Sequence, residues 1–174
     1  MAVGRESQPS AAIIDTQAVK TTETPGERGY DVFKKVKGRK RHLLVDTQGL
    51  VLDAVVHPAN EQDNVAALKV FEKAAPRLDR LAHIWADGIY TGSLVEQVKN
   101  IWGWTLEIVK RDKGTPGFQP LPRRWVVERT FAWLGRYRRM SKDYEALAAS
   151  SEAMIYACMT NLMIRRLARL RVPT

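Results

Sequence analysis

The chain has 174 residues, enough for one domain with a real core, and its 28 Lys+Arg against 19 Asp+Glu give a formal net charge of +9. That excess, with a sequence pI near 9.9, favours a polyanionic partner, nucleic acid ahead of an anionic membrane. The longest apolar stretch, Ala153–Ile164, is interrupted by Thr160 and Asn161 and too short to span a bilayer, and the single Cys158 excludes an internal disulfide framework or a thiolate zinc cluster.

Residues 1–10 read as a disordered N-terminus without an apolar leader, so the cytoplasm is the expected compartment. A strand is expected over Ala11–Val19, with Ile13, Asp15 and Gln17 on one face by the period of two. Residues 21–41 are polar, glycine-bearing and basic, with no element assigned. From His42 to Val56 the pattern predicts two strands joined by a turn at residues 46–49, Gly49 supplying a positive φ. Asp63 is expected to cap a helix ending before Pro76, with Val65, Leu68 and Phe71 as its buried stripe.

His83–Gly88 reads as a short strand stopping at Asp87, and Ser93 with Glu96 as a capping box opening a helix to about Ile101. A strand over Trp104–Arg111, a loop with Gly114, Pro116 and Gly117, a helical run from Pro122 through Tyr137 and a last helix over 150–170 complete the order. This succession predicts an α/β domain over residues 11–174, a mixed sheet flanked by helices. Cys158 falls in an apolar helical pattern, as a small buried side chain would.

Three carboxylates stand out. Asp15 sits mid-strand among apolar neighbours, where an unpaired carboxylate would cost several kcal/mol. Asp87 ends an apolar strand at the edge of the sheet where sites commonly form. Glu128 borders the Val127–Phe131–Leu134 stripe of its helix, with small Ala132 and Gly135 one and two turns on. Such an oxygen-only set suits Mg²⁺ or Mn²⁺, and two ions about 4 Å apart suit phosphodiester chemistry. Lone Asp and Glu residues are more often solvated or ion-paired, and Arg124 and Arg129 beside Glu128 would serve that plainer role.

Basic residues cluster on either side of these positions. Residues 28–41 hold seven, Arg28, Lys34, Lys35, Lys37, Arg39, Lys40 and Arg41, and residues 110–142 hold ten against Asp112 and Glu128. Two such runs suit a DNA backbone steered toward a metal site, although one run alone would read as a solvated face. His42, His57 and His83 show no metal-ligand spacing. The five tryptophans read as packing residues, Trp133 beside Glu128 being the one with a case for base stacking.

The runs IIDTQAVKTTE, RGYDVFKKVKGRKRHLLVDTQGLVL, ADGIYTG and LPRRWVVERTFAWLGRYRRMSKDYE resemble the DDE transposases of bacterial insertion sequences, specifically insertion sequence family five. The likeness spans about Ile13 to Leu170 in order. It implies a ribonuclease-H-like fold and a transposase that cleaves DNA at insertion-sequence ends and joins it to target DNA. By motif it implies Asp15 in IDTQ, Asp87 in ADGIY and Glu128 in RWVVER as catalytic metal ligands for two Mg²⁺ or Mn²⁺ ions.

In such transposases a tyrosine, an arginine and a lysine or arginine surround the glutamate. Arg124 fits the arginine; Leu121 replaces the tyrosine, and Gly135 takes the lysine position with Arg136 next to it. The DNA-binding set expected on this basis is Lys34, Lys35, Lys37, Arg39, Lys40, Arg41, Arg124, Arg136, Arg138 and Arg139. Transposon ends and target DNA are the implied partners, with a homodimer and a nucleoid-associated location.

Full-length relatives carry a helical end-binding region before the first aspartate, whereas fourteen residues precede Asp15 here. That leaves a frameshift product partnered by an upstream-frame region, or an inactive truncated form binding DNA by charge alone. A nuclease of the same fold without transposition is the enzymatic rival.

Overall fold

The computed structural model describes residues 6–110 and 123–170. Six strands, β1 (Ala11–Lys20), β2 (Gly29–Asp31), β3 (Val36–Asp46), β4 (Val51–Pro58), β5 (His83–Ala86) and β6 (Thr105–Ile108), form one mixed sheet. Four helices accompany it: α1 (Asp63–Ala74), α2 (Ser93–Trp102), α3 (Trp125–Gly135) and α4 (Ala148–Leu170). β3 lies antiparallel to β1 on one side and to β4 on the other, while β5 and then β6 continue parallel to β1. Three antiparallel strands followed by two parallel ones, joined by helical crossovers, is the ribonuclease-H-like order.

The alternation of β1 divides the core. Ala12 and Ile14 face α1 and α2, packing with Leu44, Val70, Phe71, Ile84, Leu94 and Trp104. Ile13 faces the opposite way, into a second cluster built from Leu43, Val45, Val127, Phe131, Leu134, Ile155 and Met159 beneath α3 and α4. Asp15 is two residues from Ile13, so its side chain belongs to the α3 side of the sheet. Gly49, with φ 82°, makes the β3–β4 turn; a Cβ there would stand 2.7 Å from Thr130 Oγ1, so the turn can press against α3 only as glycine.

Several local expectations are corrected. β3 begins at Val36, six residues before His42, so the later part of the basic run is strand. Asp63 is the first residue of α1 and Gln62 its cap; the Asp63 carboxylate turns to Lys40 Nζ at 3.0 Å. α1 buries Ala66, Ala67, Val70, Phe71 and Ala74, and Val65 is 47% exposed. Likewise Gly92 precedes α2 and Ser93 makes no cap bond.

Residues 6–10 are held along the sheet: Gln8 O accepts from Arg80, and Ser10 O accepts from the Ala82 and His83 amides. Residues 1–5 of the expected disordered start, and Arg111, the 114–117 loop, Leu121 and Pro122, lie outside the described residues.

Candidate active site

β1, the end of β5 and α3 carry Asp15, Asp87 and Glu128, linked pairwise through Asp87: its carboxylate acts on Asp15, and it shares Arg124 with Glu128. β5 runs parallel to β1 with Ala11 opposite His83 and Ile13 opposite Trp85. Asp15 and Asp87 each lie two residues past the last pair of that register, near enough for the Asp87 carboxylate to act on Asp15. Asp87 has left the strand but keeps extended backbone, φ −83° and ψ 178°, and its Oδ1 accepts from Ile89 N at 2.9 Å to cap the 3-10 turn over residues 88–90. Glu128 enters from α3, which packs over β1 through Val127 and Phe131.

Arg124 connects them. Its Nη2 lies 3.6 Å from Asp87 Oδ2 and 3.8 Å from Glu128 Oε1, so those two carboxylates share one guanidinium nitrogen. Glu128 is the most open of the three, its side chain 52% exposed. Asp15 is the most enclosed, and its pKa is pushed up to about 6: burial contributes most and the Asp87 carboxylate adds to it, against the Thr16 amide, Arg124 and Lys34, which pull it down.

The donor set is therefore oxygen-only, crowded with like charge, and only partly compensated by Arg124. A divalent cation meets that electrostatic demand. As the side chains stand, no group of three or more His, Cys, Asp or Glu among the described residues is gathered closely enough to hold a metal. Arg124 lies between Asp87 and Glu128, a position that a cation bridging them would contest.

The expected DNA-binding set divides. Lys34, Lys35 and Lys37 stand exposed on and beside the β2–β3 turn, and Arg136 and Arg138 are exposed beyond α3. Arg139 is exposed but pairs with Glu145 at 2.8 Å. Arg39, Lys40 and Arg41 are a correction. They are 1%, 6% and 2% exposed and already occupied. Arg39 donates to the Glu27, Glu145 and Ala146 carbonyls, and Arg41 to those of Met140 and Lys142. Lys40 pairs with Asp31 and Asp63. These cations plug backbone acceptors inside the fold and cannot reach a phosphate. Trp133 is likewise occupied, Arg129 and Arg166 lying 4.6 and 4.4 Å from its ring centre.

The sequence reading missed a buried chain behind Asp87. Tyr90 OH lies 2.7 Å from His42 Nε2, and His42 Nδ1 lies 3.4 Å from His57 Nε2. His57 Nδ1 must donate to the Pro58 carbonyl at 3.1 Å, which leaves its Nε2 to accept from His42 and His42 Nε2 to accept from Tyr90. Burial holds His42 well below its ordinary pKa, so the chain is neutral. It ties the turn after Asp87 to β3 and β4. The only trace in the sequence is the tyrosine closing ADGIY.

Comparison with known proteins adds the family. Over 118 residues the chain is 30% identical to a Burkholderia cepacia protein provisionally assigned as the transposase for insertion sequence element IS402, covering 64% of this chain and 56% of that one. The chain thus spans little more than half the length of that relative. In structure it resembles a chain of the simian T-cell lymphotropic virus intasome solved with the PP2A regulatory subunit B56 gamma. That likeness has a TM-score of 0.54 at 16% identity, over 89% of this chain and 49% of that one. It also resembles the HTLV-2 integrase catalytic core domain solved with magnesium, with a TM-score of 0.50 at 15% identity, over 89% of this chain and 86% of that one. At such identities these likenesses establish the ribonuclease-H-like fold. Residues 6–163 match the Transposase DDE domain family, which is the great majority of the chain, and the chain belongs to that family.

Proposed function

We propose that the chain is the catalytic part of an insertion-sequence transposase, cleaving phosphodiester bonds at the element's ends and joining the freed 3′ ends to target DNA. The observation that supports this reading is the influence of the Asp87 carboxylate on Asp15, together with the Arg124 guanidinium shared by Asp87 and Glu128. Asp15, Asp87 and Glu128 would hold Mg²⁺ or Mn²⁺, two ions in the working site, as the oxygen-only donors favour. Such ions, when bound, lower the pKa of the attacking water and stabilise the leaving oxygen.

The protein's own contribution is placement. Asp15 is fixed by its pairing with Leu43 across β1 and β3, and Asp87 by its bond to the Ile89 amide. Glu128, exposed on α3, has the freedom to close on the other two. Arg124 holds Asp87 and Glu128 in the meantime and is then free for a phosphate oxygen. Lys34, Lys35, Lys37, Arg136, Arg138 and Arg139 would carry the DNA backbone. Transposon ends and target are the partners of this reading, with pairing into a homodimer, a nucleoid-associated location in the cytoplasm, and end recognition drawing on a further region.

Glu128→Gln tests the reading, because it keeps shape while removing the charge a cation needs. Mn²⁺-dependent nicking of DNA carrying both element ends should fall at least about a hundredfold, with DNA affinity unchanged. Mn²⁺ affinity measured by calorimetry should fall as well. If Glu128 serves only as the partner of Arg124, the substitution costs about 0–1 kcal/mol and nicking persists. Persistent nicking would return Glu128 to a structural role.

A further inference from the structure

Phe33 is 96% exposed, with Val32 at 70% and Tyr30 at 50% beside it, at the turn between β2 and β3. An apolar patch of this kind asks for a partner. The turn is also firmly built. The buried Asp31 carboxylate accepts from the Phe33 and Lys34 amides at 3.0 and 2.9 Å and is itself held by Lys40, while Lys35 adopts a left-handed φ of 52°. So constrained a backbone fixes the direction in which the Phe33 side chain leaves the chain.

Two further observations say what the partner is. The apolar tip runs directly into cations: Lys34, Lys35 and Lys37 are all exposed. Lysine is depleted from protein–protein interfaces but suits phosphate, and an aromatic face between phosphate-binding cations is the arrangement that receives single-stranded nucleic acid. The turn also adjoins the carboxylates. Lys34 Nζ donates to Thr16 O at 3.2 Å, and Thr16 N donates to Asp15 Oδ1 at 2.7 Å. On its other side a cleft of about 400 Å³, lined by Tyr30, Phe33, Asn60, Gln62 and Ile89 among others, opens two residues from Asp87.

We propose that Phe33 is a stacking platform for an unpaired nucleobase of the DNA strand whose phosphate lies at the carboxylates, with Lys34, Lys35 and Lys37 on the flanking phosphates. The inference rests on the functional reading above for the position of the strand, but its test needs no cleavage. Stacking is available to every base, so the platform selects an unpaired base and not a sequence. It would hold open the strand end on which the proposed chemistry acts.

The test is fluorescence anisotropy of the whole chain, without divalent metal, on a labelled single strand, on the matching duplex, and on the single strand with one abasic position moved along it. Phe33→Ala should weaken single-strand binding roughly tenfold and duplex binding less than about twofold, while Phe33→Trp retains affinity. One abasic position should weaken the wild type and leave Phe33→Ala unaffected. Equal losses on single strand and duplex would overturn the proposal, as would no loss on either or a wild type that binds only duplex. So would a Phe33→Ala variant that loses self-association in sedimentation while keeping its DNA affinity. Phe33 is almost wholly exposed, so thermal unfolding should match the wild type and a binding change reports the surface. Unaltered single-strand binding in Phe33→Ala with metal-dependent nicking intact would sink the platform and leave the proposed function standing.

Discussion

Asp15 and Asp53 look alike in sequence and are opposites in structure. Each is an aspartate inside an apolar strand, AIIDTQAV and LVLDAVV. Asp53, fully buried on β4, accepts from Arg77, from Tyr156 OH at 2.8 Å and from its neighbour's amide at 2.7 Å, with Lys73 Nζ 3.4 Å away. Its charge is answered by cations from α1 and the turn after it, and its lone pairs by donors from α4. Asp15 has one backbone donor, a second carboxylate beside it, and cations too few to keep its pKa down. A buried carboxylate surrounded by donors holds the fold together. One with a second carboxylate beside it and few donors is available to an added cation.

The largest effect expected from this contrast is on chemistry. Asp15→Asn should cut Mn²⁺-dependent nicking by about a thousandfold or more, since a lost ligand forfeits several kcal/mol of charge stabilisation. Asp53→Asn, measured well below its unfolding temperature, should nick within a few-fold of wild type. A comparable loss in both variants would erase the distinction.

Stability should divide the pair the other way. Asp53→Ala leaves Tyr156 OH short of its acceptor and removes the carboxylate that Arg77 and Lys73 share, a cost of about 2–4 kcal/mol in denaturant unfolding. Arg77 and Lys73 reach solvent, which keeps the cost below that of a fully enclosed pair. An Asp53→Ala variant as stable as wild type would contradict the structural role.

The smallest effect is also the most diagnostic. Asp15 titrates near 6 in the fold against 3.8 unfolded, so folding favours its protonated form. That stabilising contribution is fully present below pH 4 and is lost as pH rises through about 6. At pH 7 without metal, Asp15→Asn should therefore be more stable than wild type by about 1–2 kcal/mol, discounted for partial exposure, with the advantage vanishing toward pH 4. Added Mn²⁺ should stabilise the wild type alone, and increasingly as pH rises past 6. A stability difference independent of pH would mean that Asp15 is compensated as Asp53 is.

Much of the fold was legible because periodicity reports it directly. β1, β5, α3 and the β3–β4 hairpin follow from alternation, spacing and Gly49. In α1 Phe71 is buried and Leu68 packs against the core as expected, but Val65 is exposed: alanines, which a count of large apolar residues overlooks, are what fits closely against the sheet. Arg39 and Arg41 were misread for a related reason: their partners are backbone carbonyls of residues 140–146, which leave no mark in a sequence. Residue type and strand context alone would have selected Asp53 as readily as Asp15. The two differ by the donors around them in three dimensions, which no strand pattern records.

The pairing of β1 with β5 has a consequence for how such a protein can change. Asp15 and Asp87 each lie two residues past the last pair of that register, while the chain between the two strands makes β2, the β3–β4 hairpin and α1. Lengthening that excursion at a surface loop costs little, because loop entropy grows only slowly with length. A slip of a single residue between the two strands would instead turn one carboxylate to the other side of the sheet. Evolution can therefore add whole segments between the two aspartates far more easily than it can shift either strand by one step.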